Sequence, residues 1–302
     1  MTEPHLTWNG DLTAAQIAGV QALLHAAAAN DGVDPVGEQV VLSLRRPAAD
    51  GHTPHLLATT DGHLRGYAHL EPAVDGEPAH VELAVHPAHR RAGTGAALLA
   101  RAMTGSARVW AHGDGVPARA LAVSAGLVSV RELWQMRLDL ASSELPALGE
   151  RADVVLRTYA GPVDDEAVLK VNNEAFSWHP EQGGWTEQEM ADRRAEPWFD
   201  AAGFFLAADA VTGELLGFHW TKVHAAQDGE QALGEVYVVG VAPSAQGRGL
   251  GRLLTLRGLH HLRDAGLGTV LLYVEADNTA AVHTYERLGF SRFHVDRAYA
   301  RG

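Results

Sequence analysis

The stretch APSAQGRGLGRLLTLRGL, residues 242–259, decides how the rest of the sequence is interpreted. Its first part sets glycines close together among arginines: Gly247, Arg248, Gly249, Gly251 and Arg252. The stretch then continues with apolar residues at the spacing of a helix. Glycine adopts positive φ and lets a ligand approach the backbone. The first N–H groups of a helix lack an intrahelical partner and lie at the positive end of the helix dipole. The stretch therefore predicts a site for an anionic group such as a pyrophosphate, with the arginines adding charged contacts.

Two common phosphate-binding patterns do not fit this stretch. A Walker A loop needs GxxxxGK followed by Ser or Thr, which the sequence lacks. A dinucleotide fingerprint GxGxxG that begins at Gly247 needs a third glycine where Arg252 stands. The pattern is instead Q/R-x-x-G-x-G, carried by Gln246, Gly249 and Gly251.

A second copy of this pattern occurs earlier, in HPAHRRAGTGAALLARAM at residues 86–103. The two segments align without a gap, so that Arg90 matches Gln246 and Gly93 matches Gly249, each pair 156 residues apart. That separation is far longer than the roughly 20–50 residues of a solenoid repeat. It therefore indicates that a whole domain has been duplicated.

The duplication predicts two domains of the same fold class. The polar segment ASSELPALGERAD contains proline and glycine, and it predicts a linker at 141–151 between domains 1–140 and 152–302. Each half shows a helical stretch, strands that form hairpins, a strand that leads into the glycine loop, and then helix, strand, helix and strand. This order predicts an α/β fold with a mixed sheet in each domain.

The composition excludes several classes of protein. With 302 residues, 46% hydrophobic and 20% charged, the chain is typical of a soluble globular protein, and no apolar run reaches the roughly 18 residues of a membrane span. The net charge of −13 argues against nucleic-acid binding. The 17 histidines lack an HExxH pattern, so no metal site is expected. The absence of cysteine and of a signal-peptide layout predicts a cytoplasmic protein, and we expect a monomer because two fused domains already supply a cleft.

The strand before the loop, the loop, its helix and the later pattern N-x-x-A-x-x-x-Y-x-x-x-G-F at 278–290 resemble the GNAT acetyltransferase superfamily. The resemblance implies two tandem GNAT domains that bind acetyl-CoA through the loop, the backbone of the preceding strand and the later helix. The residues that it assigns to acetyl-CoA in the second half are Val239, Gly240, Val241, Gln246, Gly247, Arg248, Gly249, Leu250, Gly251, Arg252, Asn278 and Ala281. In the first half they are Leu83, Ala84, Val85, Arg90, Arg91, Gly93 and Gly95.

Acetyl transfer to an amine requires a base for the ammonium and an acid for the departing thiolate, each of which contributes roughly 10²–10⁴-fold. Glu235 shares one face of an extended segment with Tyr237 and Val239, so its carboxylate is predicted to accept the amine proton. Tyr285 stands where GNAT enzymes often carry a tyrosine acid, which implies that it donates to the CoA sulfur.

The first domain is predicted to lack both groups. The offset of 156 residues aligns Ala79 with Glu235, and the later offset of 163, between SAGL and RLGF, aligns Ala122 with Tyr285. Glu82 is close in sequence but lies on the other face of its strand. We therefore predict that the first domain binds acetyl-CoA without catalysing a reaction.

Within the superfamily, the chain is similar to a tandem-domain group of actinobacteria that acetylates the cysteinyl amine of a cysteine–glucosamine–inositol pseudodisaccharide and so forms mycothiol. NNEAFSWHPEQGGWT (172–186) and LLYVEADNTAAVHTYERLGF (271–290) carry this resemblance. It assigns substrate binding to Glu38, Glu181, Lys222, Glu235 and Tyr273.

Other functions stay open at this point. They are acetylation of an aminoglycoside or of a peptide N-terminus, and a non-catalytic acyl-CoA sensor. Lys222 disfavours a polycationic aminoglycoside, because such a ligand prefers carboxylates around it. Glu235 and Tyr285 disfavour a sensor, because binding alone needs neither a base nor an acid.

Overall fold

The computed structural model describes residues 3–45, 54–73, 78–149, 151–177, 182–226 and 231–302. They form two compact units: unit 1 comprises Met1–Leu133 with His294–Gly302, and unit 2 comprises Trp134–Phe293. The strands are β1 His5–Asn9, β2 His55–Thr60, β3 His63–Glu71, β4 His80–Val85, β5 Arg108–Ala111, β6 Leu127–Asp139, β7 Val154–Thr158, β8 Phe204–Asp209, β9 Leu215–His224, β10 Leu233–Val241, β11 Thr269–Glu275 and β12 Ser291–Arg301. The α-helices are α1 Ala14–Asp31, α2 Glu38–Ser43, α3 Thr94–Ala102, α4 Val116–Ser124, α5 Asp165–Ala175, α6 Glu187–Ala195, α7 Leu250–Asp264 and α8 Thr279–Arg287.

The sheet of unit 1 has the order β1-β2-β3-β4-β5-β12. Strands β4 and β5 are parallel, and the other neighbours are antiparallel. Helix α1 packs on the face that carries Tyr67 and Ala84, and α3 packs on the opposite face, against Ala68 and Val81. Successive residues of a strand point to opposite faces, so this alternation places one helix on each side of the sheet.

The sheet of unit 2 has the order β7-β8-β9-β10-β11-β6. Here too one pair, β10 with β11, is parallel, and the pairs from β7 to β10 are antiparallel. The aromatic core of this unit is built on Phe204, Phe218 and Trp220, which are fully buried. The mixed α/β architecture predicted from the sequence is therefore confirmed.

Each glycine loop lies close to its sheet because a glycine in the neighbouring strand leaves room for the helix after the loop. At Gly66 on β3, an added Cβ would come within 2.8 Å of Leu98 on α3. At Gly217 on β9, it would come within 2.8 Å of the Gly240 carbonyl oxygen and 3.0 Å of Leu254 on α7. The two glycines occupy the same place in their units, since they pair with the last residues of β4 and β10.

The two units do not coincide with the domain bounds expected from the sequence. The C-terminal part of β12 pairs with β5, and its Tyr299 is buried in the core of unit 1. Met136 and Leu138 of β6 are buried in unit 2, together with Val270 and Leu272. The difference arises because strand pairing, rather than chain order, decides which hydrophobic core a strand completes.

Candidate active site

The glycine loop of unit 2 ends at the first turn of α7. Gly247 and Gly249 have φ of 75° and 76°, and an added Cβ would meet open space at both, so backbone conformation rather than packing requires glycine here. Gly249 is the N-cap of α7, and no side chain caps the helix. The first N–H groups of α7 are therefore available to an anion.

The loop of unit 1 has the same backbone conformation. Gly93 is the N-cap of α3 with φ of 86°, and Arg91 has φ of 64° although it has a side chain. Arg91 aligns with Gly247, so the two loops repeat the pattern of left-handed residues at both positions. This agreement supports the duplication that the sequence predicts.

Two of the arginines expected to contact acetyl-CoA are paired with carboxylates. Both Nη atoms of Arg90 donate to Asp31, at 2.7 and 2.6 Å, and this hydrogen bonding lowers the pKa of the carboxyl. Arg248 donates to Asp153 at 2.9 Å, and Arg151 donates to the same carboxylate. The hydrogen bond from Arg151 is the main reason why the pKa of Asp153 is lowered. Each pair joins its loop to a neighbouring segment: the end of α1 in unit 1, and the residue before β7 in unit 2. Within the described parts of the chain, Arg252 is exposed and makes no ion pair.

In both units the strand before the loop separates from its parallel neighbour. The register of β10 with β11 covers only Gly234 and Glu235, whereas β10 continues to Val241 beside β9. In unit 1 the register of β4 with β5 ends at Glu82 opposite Trp110. Because its parallel neighbour has diverged, the backbone before each loop borders a gap in the sheet, as expected where a thioester binds.

Glu235 lies at the point where β10 and β11 separate. It pairs with Lys222 on the neighbouring strand β9, and the residue is 7% exposed. Its Oε2 atom is 2.6 Å from Nε2 of His224, on β9. A carboxylate in this position can accept a proton from an amine that approaches along the gap.

Tyr285, on α8, can act as an acid. Its ring packs edge-to-face on Phe290 with 5.9 Å between ring centroids, and burial raises the pKa of the phenol to about 12. The hydroxyl therefore keeps its proton at neutral pH, and it donates to no group among the residues that the structure describes. Asn278 is the N-cap of this helix, where its side chain accepts from the Ala281 N–H at 3.2 Å.

The residues expected to bind acetyl-CoA in unit 1 surround one cavity of about 870 Å³. All seven line it: Leu83, Ala84, Val85, Arg90, Arg91, Gly93 and Gly95. His112 and Tyr299 line it as well, and the sequence analysis missed both. Tyr299 is on the last strand of the chain, so no local pattern around the loop indicates it.

The counterpart of Glu235 in unit 1 is His80, not Ala79 as the gapless alignment predicts. The register of β10 with β9 shifts between Val236 and Val238, which leaves Tyr237 in a bulge. Strands β3 and β4 pair without such a shift, so the position of Glu235 opposite Lys222 corresponds to His80 opposite Glu71. A bulge adds one residue to one strand, and a gapless alignment does not register it.

Glu82 of unit 1 belongs to a buried set of ionic contacts, which we call the His112 clamp: Glu82, His112 and Asp296. Nε2 of His112 is 2.9 Å from Glu82, and its Nδ1 is 3.1 Å from Asp296. Burial alone would lower the pKa of His112, but its hydrogen bonds to both carboxylates raise it to about 10. The Gly37 N–H also donates to Glu82, at 2.5 Å. The clamp joins β4, the turn after β5 and β12 beside the point where β4 and β5 separate.

Comparison with known proteins agrees with this geometry. The acetyltransferase (GNAT) family model matches residues 23–135 and again 169–290. The chain belongs to the GNAT acetyltransferase family. A mycothiol acetyltransferase from Nocardia farcinica is 59% identical over 297 residues, which cover 97% of this chain and 96% of the relative. The GNAT enzyme is thus also a member of the mycothiol acetyltransferase group.

Solved structures support the tandem GNAT fold. A GCN5-related N-acetyltransferase from Sphaerobacter thermophilus has a TM-score of 0.75 at 22% identity, covering 99% of this chain and 96% of the other. A tandem GNAT protein from the clavulanic acid biosynthesis pathway has a TM-score of 0.70 at 20% identity and covers 99% of each chain. These similarities establish the fold of the GNAT enzyme, an acyltransferase with two related domains.

The residues expected to bind the acceptor occupy different parts of the GNAT enzyme. Glu38 is exposed at the start of α2 in unit 1, and Glu181 lies outside the described residues. In unit 2, Nζ of Lys222 is 4.9 Å from the ring centroid of Trp198 and 5.6 Å from that of Tyr237. The Tyr273 hydroxyl accepts from Gln135 at 2.7 Å.

The sequence analysis missed two residues near Glu235 and Lys222 in this GNAT enzyme: His224, which contacts Glu235, and Trp198, which contacts Lys222. His224 is two residues after Lys222 in a strand, and this spacing could have placed it on the same face as Lys222 and so beside Glu235. The contacts of Trp198 depend on the fold of the segment after α6, which carries no motif.

Over the described ranges, no three His, Cys, Asp or Glu side chains are grouped so that they could hold a metal ion. No helix in those ranges is long and apolar enough to cross a membrane.

Proposed function

We propose that this GNAT enzyme transfers the acetyl group of acetyl-CoA to the cysteinyl amine of cysteinyl-glucosaminyl-inositol, and so forms mycothiol in unit 2. The observation that carries the proposal is the buried Glu235 carboxylate at the separation of β10 and β11, on the same sheet as the glycine loop. The mycothiol acetyltransferase relatives, at 52–59% identity, support the acceptor.

In the proposed reaction, three parts of acetyl-CoA contact unit 2: the pyrophosphate, the pantetheine arm and the thioester. The pyrophosphate of acetyl-CoA binds the N–H groups at the start of α7, and the pantetheine arm follows Asn278 and Ala281. The thioester lies beside Val239, Gly240 and Val241, whose backbone N–H groups stabilise the oxyanion that forms on its carbonyl oxygen.

Proton transfer then follows from the side chains. Glu235 accepts one proton from the ammonium, and the free amine attacks the carbonyl carbon. When the tetrahedral intermediate collapses, the C–S bond breaks and the thiolate takes the proton of the Tyr285 hydroxyl, while the second proton that the nitrogen loses restores that hydroxyl. The raised pKa of Tyr285 supports this role, because the phenol is protonated before the thiolate leaves.

We propose that unit 1 binds a second acetyl-CoA without turning it over. The cavity of about 870 Å³ and the seven residues around it support binding. Ala122, which aligns with Tyr285, offers no acid for the departing thiolate, and this supports binding without turnover. We assign the remaining acceptor contacts to Glu38, Glu181, Lys222 and Tyr273, and we propose a monomer that acts in the cytoplasm.

Release of free thiol from acetyl-CoA tests this function. The purified chain is assayed with cysteinyl-glucosaminyl-inositol, with an aminoglycoside and with a peptide N-terminus. We expect turnover with the pseudodisaccharide and little with the other two. Turnover of another amine but not of the pseudodisaccharide would overturn the acceptor, and binding of acetyl-CoA without turnover of any amine would point to a sensor.

A further inference from the structure

His224 stands between the buried Glu235 carboxylate and solvent. Its Nε2 atom is 2.6 Å from Oε2 of Glu235, and its side chain is 39% exposed against 10% for that of Glu235. In the described part of the chain, neither Nδ1 of His224 nor Oε1 of Glu235 has a hydrogen-bond partner. The pair therefore has an inner end, Oε1, that can face an amine, and an outer end, Nδ1, that can face water.

A buried base needs such a connection. Each turnover places one proton on Glu235, and the carboxylate must lose that proton before the next acceptor is deprotonated. Since Glu235 is almost inaccessible to water, direct release to solvent is hindered. An imidazole takes up and gives off protons near neutral pH, and its two nitrogens let a proton enter at one and leave at the other.

We propose that His224 relays the proton from Glu235 to solvent. This inference rests on the proposed role of Glu235 as the base, although not on the identity of the acceptor. The ammonium gives one proton to Oε1, and rotation of the carboxyl group presents that proton to Nε2. The imidazolium then releases its Nδ1 proton to water or buffer. Exchange through water moves the proton that remains on Nε2 to Nδ1 before the next turnover, so one proton enters, one leaves and both side chains return to their starting states.

The other charged groups on the neighbouring elements do not offer this route. Lys222, on β9, faces Glu235 but has its Nζ over the rings of Trp198 and Tyr237. Arg193, on α6, donates to the Tyr237 hydroxyl at 3.2 Å and remains charged. Glu275, on β11, is 8% exposed and as poorly placed as Glu235 to reach water. Of these groups, the imidazole alone combines contact with Glu235, exposure to solvent and a second ring nitrogen from which a proton can leave.

The first test removes the imidazole. We expect His224→Ala to lower kcat by about 10–100-fold with little change in KM, a smaller loss than removal of the base itself. Free imidazole in the buffer should restore part of kcat, in proportion to its unprotonated concentration, because it supplies the missing proton carrier. The matched control is His25→Ala, an exposed histidine on α1, which should leave kcat and its response to imidazole unchanged.

The second test separates a relay from a structural role. His224→Gln keeps a hydrogen bond to Glu235 but does not relay a proton, so it should retain the unfolding temperature and lose kcat. The pH profile of kcat in His224→Gln should also differ in shape from that of the wild type. Free imidazole should not alter the wild-type profile, because His224 already carries the proton. The relay would be overturned if His224→Ala kept the wild-type kcat. It would also be overturned if kcat fell in His224→Ala, was not restored by imidazole, and was normal in His224→Gln. The relay is measured with whichever amine the wild type turns over, so failure of the pseudodisaccharide as acceptor is a distinct result.

Discussion

The two glycine loops share a backbone conformation, whereas the side chains beside them differ. Both loops place left-handed residues at matching positions, begin a helix at an uncapped N-terminus and follow a strand that leaves its parallel neighbour. Beside the loop of unit 2 are Glu235, His224 and Tyr285; at the positions of Glu235 and Tyr285, unit 1 has His80 and Ala122. We infer that the shared backbone serves nucleotide binding and that a few differing side chains decide which unit carries out the reaction.

The strand register near each loop adds a second difference. A bulge at Tyr237 ends the register of β10 with β11 at Glu235, whereas β4 stays paired with β5 through Glu82, where the His112 clamp is formed. We infer that this pairing and the clamp keep the gap between the strands of unit 1 shorter than that in unit 2.

The largest effect is expected from removing the base of unit 2 and its positional counterpart in unit 1. Glu235→Gln keeps the size of the side chain but loses the carboxylate, so kcat should fall by about 10³-fold. His80→Gln should leave kcat within about twofold, because the reaction does not pass through unit 1. Steady-state kinetics at saturating acetyl-CoA checks both. Equal losses in the two variants would show that the units do not differ in this way.

The His112 clamp should dominate the stability of unit 1. His112→Leu leaves the buried Asp296 and the part-buried Glu82 without their cation, which should cost about 3 kcal/mol of unfolding free energy. The raised pKa of about 10 means that the stabilisation is complete below pH 6.5 and is lost as pH rises towards 10. Calorimetric unfolding from pH 7 to 10 should show this loss in wild type and not in the variant. A wild-type unfolding temperature that does not change over this range would contradict the ionic role of His112.

A matched pair of tyrosine substitutions separates chemistry from packing. Tyr285→Phe should lower kcat by about 10²-fold with little loss of stability, since its hydroxyl serves as the acid. Tyr299→Phe in unit 1 removes a 2.6 Å hydrogen bond to buried Asp114, so it should cost about 2 kcal/mol of stability without lowering kcat. Turnover and chemical denaturation of both variants are measured together. The reverse assignment of effects would place the acid in unit 1.

The smallest effect concerns the loops themselves. Arg91→Gly places glycine at a left-handed position, as in unit 2, and should stabilise unit 1 by about 1 kcal/mol. Gly247→Ala introduces a side chain at the matching position and should destabilise unit 2 by a similar amount. Thermal unfolding of the two variants tests whether the loops are equivalent. Changes of the same sign in both would show that they are not.

The sequence was sufficient for the features that depend on local pattern. The loop, its uncapped helix and the mixed sheet follow from glycine spacing and apolar patterning. Features that depend on register were missed. The bulge at Tyr237 changes neither composition nor apolar alternation enough to be recognised, so the counterpart of Glu235 was misaligned by one residue.

The exchange of final strands was also hidden in the sequence. Strands β6 and β12 follow equivalent helices and have similar apolar patterns, so nothing local indicates which core each completes. In the His112 clamp, His112 is 30 positions from Glu82 and 184 positions from Asp296. Asp296 is on β12, so the clamp forms only because that strand completes the sheet of unit 1.

A label-chase experiment tests most directly whether two acetyl-CoA sites serve one reaction site. The chain is loaded with radiolabelled acetyl-CoA at both sites, mixed with acceptor and a large excess of unlabelled acetyl-CoA, and quenched within one turnover. We expect two bound equivalents per chain and at most one labelled acetyl group in the product, and no labelled product from Glu235→Gln. Two labelled acetyl groups per chain in the product, or labelled product from Glu235→Gln at the wild-type rate, would contradict it.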